Sequence, residues 1–322
     1  MVSRRDFLVG STAVAIGSAV LAADRSTAAQ PAPAPSPPTS PPTPGAPTPS
    51  VAEGPEPNAP SDGRYVPVVT PNLSTLPWRV VDGAKVFHLV AEEVRGHEIA
   101  PGLALDCWGY NGSVHGPTIE VVEGDRCRFY VSNRLPEPTT VHWHGVPLPN
   151  GMDGVAGLTQ RPIPPGETFL YEITFRRPGT FMYHPHYDEM TQMALGMMGM
   201  LVVHPRRPRR RVDRDYVLLL SEWYVRPGTR RPDPARMDFN VLTFNAKSFP
   251  ATAPLVARTG ERIRIRIGNL SAMDHHPIHL HGPSFRVTAT DGGPIPEAGQ
   301  WPETTVLVPT GSTRDIELVA TD

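Results

Sequence analysis

A period-two alternation of apolar and polar positions recurs along the chain from about residue 63. It is clearest where Ile263, Ile265 and Ile267 alternate with Arg262, Arg264 and Arg266. Side chains two apart share one face of a strand, so the isoleucines are expected to face inward and the arginines to face water. The same rhythm runs from Arg126 through Cys127, Arg128, Phe129, Tyr130, Val131 and Ser132 to Asn133. Aligning the two strands sets Cys127 opposite Ile263 and predicts a small core side chain there. Their surroundings match as well. An Asn turn (Tyr110-Asn111-Gly112; Phe244-Asn245-Ala246) and a Gly–acid turn (Gly124-Asp125; Gly260-Glu261) precede each strand. A His-x-His-Gly follows each one, His142-Trp143-His144-Gly145 and, 137 positions later, His279-Leu280-His281-Gly282. Beyond these, Pro165-Gly166-Glu167-Thr168 and Thr310-Gly311-Ser312-Thr313 each open another strand. Two copies of a strand-rich unit of about 130 residues predict an all-β chain of two β-sandwich domains.

The repeat sets the expected boundaries: a first domain over 63–205, a basic linker over 206–215 and a second domain over 216–322. Gly311 aligned with Gly166 would put the second copy's counterpart of His184-Pro185-His186 at about 329–331, past Asp322. The second domain is therefore expected to be incomplete at its C-terminal end. Ahead of the repeat, residues 1–29 read as a Tat-type signal peptide. Arg4-Arg5 precedes an apolar run from Val9 to Ala23 that is short for a membrane span. Thirteen prolines between Pro31 and Pro60 make residues 30–62 a Pro-rich, disordered tether. Export to the periplasm or beyond is expected, with no stable membrane span after signal cleavage.

Composition adds little that the pattern lacks. The 40 prolines and 28 glycines suit turns between strands, and a net charge of −2 gives no reason to expect a nucleic-acid partner. Two cysteines, Cys107 and Cys127, are too few for a disulfide scaffold; they pair, or they stay as core thiols.

The chemistry lies in the histidines. Each His-x-His on a strand sets two imidazoles side by side, and neutral imidazole suits copper, zinc, iron and nickel. With His184-Pro185-His186 and His276, seven of twelve histidines fall in three tight clusters. His88, His97, His115, His204 and His275 carry no such pattern and are expected at the surface or around the site rather than as ligands. The methionines at 190, 193, 197, 198 and 200 either pack a strand and loop or line a path for cuprous ion.

In these motifs the chain resembles the multicopper oxidases, of the bacterial laccase-like kind with two cupredoxin-like Greek-key domains. The carriers are His142-Trp143-His144-Gly145, His184-Pro185-His186 and His276-Pro277-Ile278-His279-Leu280-His281-Gly282. The resemblance implies that His142 and His279 hold a type 2 copper, and that His144, His184, His186 and His281 hold a type 3 pair. It gives His276 to a type 1 copper. Asp153 matches a carboxylate that relays protons to the cluster. The implied activity is one-electron oxidation of phenols, aromatic amines or low-valent metal ions, coupled to reduction of O2 to water. Two-domain relatives imply a homotrimer.

One departure stands out. The Cys-x4-His-x4-Met register of a type 1 site reads Pro185, Met190, Leu195 in the first domain and falls beyond Asp322 in the second. His276 thus has no cysteine partner, and weak or absent laccase turnover is expected. A copper-sequestering protein without enzyme activity and a copper nitrite reductase-like enzyme are the alternatives; the Pro185 register argues against the latter.

Overall fold

The structure, a computed structural model, describes residues 65–208 and 210–321. The signal peptide and tether expected at 1–29 and 30–62 lie outside the described residues. The first half supplies β1 (Trp78–Val81), β2 (Ala84–Ala100), β3 (Leu103–Tyr110), β4 (Ile119–Val122), β5 (Arg126–Asn133) and β6 (His142–His144). It continues with β7 (Thr168–Thr174), β8 (Gly179–His184), a short helix α1 (Glu189–Ala194) and β9 (Gly199–His204). The second half supplies β10 (Arg214–Trp223), β11 (Val241–Phe244), β12 (Arg262–Asn269), β13 (His276–His279) and β14 (Phe285–Thr290). Its remaining strands are β15 (Gly293–Pro294), β16 (Pro302–Glu303), β17 (Thr305–Val308) and β18 (Thr313–Val319). Strand β10 begins two residues inside the stretch expected to be linker.

The first half is a two-layer sandwich. One sheet runs β1-β2-β5-β7 with β3 on β2, the other β4-β9-β8-β6. Parallel pairing of β2 with β5 and of β4 with β9 requires crossover connections between them. Between the layers lie Phe87, Phe129, Trp143, Tyr171 and Phe181, all buried, together with Cys127. The second half has a large sheet ordered β11-β10-β12-β18-β14-β15, with β16 on β14. Its second layer, among the described residues, is the β13–β17 pair.

The repeat is visible in the side-chain hydrogen bonds. Asn111 and Asn245 both take positive φ, 53° and 50°, which asparagine tolerates better than most residues. Their side chains clamp equivalent strands: Val90 N–H donates to Asn111 and Leu219 N–H to Asn245. Asn133 donates to the carbonyls of Glu137 and Ile163 and accepts from Leu135 N–H. Asn269 does the same with Asp274, Val308 and Ser271. These asparagines tie the end of β5 or β12 to the loop that leads into each His-x-His strand.

The expectation that the arginines of β12 all face water is corrected. Ile263, Ile265 and Ile267 do face the core, but Arg266 is only 3% exposed. The face opposite the isoleucines packs on β8 of the first half, so it is an internal surface. Arg266 donates to both carboxylate oxygens of Asp215 at 2.8 and 2.9 Å, to Asp315 at 3.2 Å and to the Thr180 hydroxyl at 2.8 Å. Arg264 donates to Glu317 at 3.0 and 2.7 Å. A buried charge persists only when paired and hydrogen-bonded, and this network meets both conditions. The rest of the contact is close. A Cβ at Gly268 would stand 2.6 Å from the sulfur of Met200 and 2.9 Å from that of Met182. Met198 and Met200 join Val217, Leu219 and Leu270 in one core, while Met197 lies in the first sandwich. Packing, rather than a cuprous path, accounts for these three methionines.

Candidate metal centre

Strand β6 is three residues long, and its alternation sends Trp143 into the core while His142 and His144 share the other face. Antiparallel pairing with β8 puts His184 directly opposite His142. The chain then turns at Pro185, and His186 N–H donates to the Thr140 hydroxyl at 3.1 Å, which returns the fourth imidazole to the same place. Ring centroids of His142 lie 5.7, 5.2 and 5.5 Å from those of His144, His184 and His186. Ligand atoms of His142, His144 and His184 all fall within 4.8 Å of one another.

The outer edges of the rings are spoken for. His142 Nδ1–H donates to the backbone carbonyl of Asp153 at 2.7 Å, with the Asp153 carboxylate further off at 3.5 Å. His184 Nδ1–H donates to the carbonyl of Pro185 at 2.9 Å. The outer edge of His144 lies against Gly311. Those bonds fix the tautomers of His142 and His184 and leave their inner nitrogens as acceptors. His144 Nδ1 faces His184 Nε2 at 3.3 Å, within hydrogen-bond distance. Burial, with the neighbouring imidazoles, pushes His184 down to about 3, and burial with His142 lowers His144 as well. Neither takes a proton readily at neutral pH, so the donor set fits a metal cation. Imidazole alone does not choose among copper, zinc, iron and nickel.

Around this set stands Glu189 of α1, one oxygen 3.5 Å from His184 Nδ1 and the other 3.7 Å from His186 Nε2. Sequence reasoning passed over Glu189 and Thr140; the three-residue spacing from His186 to Glu189 was the available signal for the first.

His279 and His281 form a separate pair, ring centroids 4.8 Å apart, on exposed residues. His279 Nδ1–H donates to the Thr304 carbonyl at 2.8 Å. The ring contacts that gather the four first-half histidines do not extend to this pair among the described residues. His276 Nε2 bonds the Ser271 hydroxyl at 2.8 Å, with buried Glu222 at 3.9 Å. Among the described residues no thiolate accompanies it. Cys107 and Cys127 are free and buried in other cores, and burial pushes Cys107 up to about 12 and Cys127 higher still.

Of the remaining histidines, two are more deeply buried than expected. His115 bonds the Gly196 carbonyl and the Ser221 hydroxyl, both at 2.8 Å, and stacks on Trp223. His204 stacks on Tyr65 and meets Glu120 at 2.7 Å. Both nitrogens of His115 and Nε2 of His204 are thereby engaged by the protein.

Comparison with known proteins gives the family. Residues 95–208 match one family model described as multicopper oxidase, and residues 226–322 match a second with the same description. Copper resistance protein A of Escherichia coli is 30% identical over 234 residues, covering 56% of this chain and 38% of that protein. Multicopper oxidase MmcO of Mycobacterium tuberculosis is 32% identical over 219 residues, covering 58% and 43%. The chain thus spans about two fifths of these curated relatives. The crystal structure of a blue copper oxidase from Nitrosomonas europaea superposes with a TM-score of 0.65 at 33% identity, covering 74% of this chain and 76% of that one.

Proposed function

The chain belongs to the multicopper oxidase family, and from that premise we propose that it is an exported, laccase-like copper oxidase. Members of the family are copper-dependent oxidoreductases that use O2. Copper bound at the histidines would supply one-electron redox steps and a place for O2. In our reading His142 and His279 hold the type 2 copper, and His144, His184, His186 and His281 hold the type 3 pair. The observation that carries the reading is the convergence of three inward-facing imidazole nitrogens within 4.8 Å.

What this chain's own residues do follows from their bonds. The carbonyls of Asp153 and Pro185 orient His142 and His184. In our reading the Asp153 carboxylate, 3.5 Å from His142, carries protons toward the cluster. We assign the other half of the cluster to a second copy of the chain, as in a trimer. Support comes from the exposure of His279 and His281 and of apolar neighbours on both sides. Leu158 and Met190 are 80% and 65% exposed near the first set, Met273 and Leu307 60% and 52% near the second. Electrons would come from phenols, aromatic amines or low-valent metal ions. His276 stands without a thiolate among the described residues. The twin arginine at Arg4-Arg5 supports export. Among the described residues, no helix is long and apolar enough to cross a membrane.

The test is copper loading of the parent chain and of a His142→Ala/His144→Ala double variant, followed by metal analysis and O2 uptake with a phenol. The parent should retain copper and show at most weak O2-coupled oxidation, and the double variant should lose the copper. Equal copper retention by parent and double variant would overturn the site. The histidines gathered in the first half also suit sequestration, which copper binding with no O2 uptake would favour.

A further inference from the structure

We propose that the cleft framed by the two sandwiches and the basic linker binds a small organic carboxylate. Its charged head meets Arg207 and Arg211, and its apolar body lies against Val66, Val212 and Ile295. No histidine of the three clusters lines this cleft, so the claim stands apart from the copper reading above.

The cleft has a volume of about 510 Å³, within the range of small-molecule sites, and it lies at the kind of junction between folded units where such sites occur. Strands β8 and β9 form one wall through Gly179 and His204, and β12 and β18 form another through Arg264 and Glu317. The linker closes the third side and is held at two points. Arg206 N–H donates to Glu123 of the first half at 3.3 Å, and Arg210 donates to Glu297 of the second half at 2.6 Å. Arg207 and Arg211 each follow one of these pinned residues and line the same cleft.

The charges on the wall differ in what they have already bonded. Glu317 accepts from Arg264, and Asp215 and Asp315 accept from Arg266. These three acids are buried, so they offer a ligand little surface. Arg207 and Arg211 are exposed, and among the described residues they form no hydrogen bond or ion pair. Two unpaired guanidinium groups at the edge of an apolar hollow suit a planar carboxylate, whose oxygens accept from both. Five arginines and five acids line the cleft in all, a balance that suits a single negative charge over a dianion.

The test is isothermal titration calorimetry of the full, metal-free chain with cinnamate, cinnamamide and cinnamylamine, which share one apolar body and differ in charge. Cinnamate should bind with one site per chain, about tenfold tighter than the amide, and the amine should be weakest. Added salt should weaken cinnamate and leave the amide unchanged. Arg207→Gln/Arg211→Gln should bring cinnamate down to the affinity of the amide. Arg95→Gln/Arg134→Gln, which removes the same charge from exposed arginines elsewhere, should leave cinnamate binding as it is. Val66→Trp should fill the hollow and weaken cinnamate and amide alike. The proposal is overturned if none of the three compounds binds, if the amide or the amine binds as tightly as cinnamate, or if the Arg207/Arg211 variant binds like the parent. Displacement of cinnamate by equimolar inorganic phosphate would overturn it too, since that would mark an anion site with no use for the apolar body. Should a variant fail to fold, the ranking of the three compounds on the parent still decides.

Discussion

His115 shows what burial does to an imidazole that binds no metal. It is fully buried with both nitrogens bonded, and burial pushes it down to about 4, against about 6.5 in the unfolded chain. Between those values the unfolded chain binds the proton and the folded chain does not, so stability falls as pH drops from about 6.5 to about 4. The contribution is roughly 3 kcal/mol. His115→Gln should be less stable at pH 7 yet lose less on acidification; urea unfolding of both proteins at pH 7 and pH 4.5 measures the difference. Equal losses would mean that His115 takes its proton in the folded state. At this scale the sequence was half legible. Clustering distinguished His142, His144, His184 and His186, because alternation on a strand is written in the spacing. It carried no sign that His115 would stack on Trp223 from the other half, nor that Gly311 would meet His144, because those contacts join residues more than a hundred positions apart.

Among the elements, β12 is the instructive one. Its alternation was readable and its isoleucines lie where alternation puts them. Its other face was misread, because a single strand does not disclose that a second sandwich packs there. Arg266 tests the difference. Arg266→Met would leave Asp215 and Asp315 buried without their cation, at a cost of about 3–5 kcal/mol. Burial already raises the Asp315 carboxyl above its usual range. Protonation of the orphaned acids relieves the loss, so it should be smaller at pH 5 than at pH 8, as read by urea unfolding. An arginine facing water would instead cost under about 0.5 kcal/mol at either pH. The asparagines at 133 and 269 were legible as marks of a repeat, though their identical hydrogen bonds were visible only in the structure.

Over the whole molecule, two sandwiches meet through β8, β12 and β18, with a thioether-lined core beside a buried ion network. That arrangement gathers the first-half imidazoles and leaves His279 and His281 as an exposed pair of their own. The account therefore turns on a cluster assembled from different halves of different copies, and complementation tests it most directly. One variant, His142→Ala/His144→Ala, lacks the first-half donors; the other, His279→Ala/His281→Ala, lacks the second-half donors. Each should retain little copper at the shared site when purified alone. Mixed under conditions that let subunits exchange, they should regain copper together with O2-coupled phenol oxidation at a fraction of the parent level. A mixture that holds no more copper than its two components held separately would contradict the account.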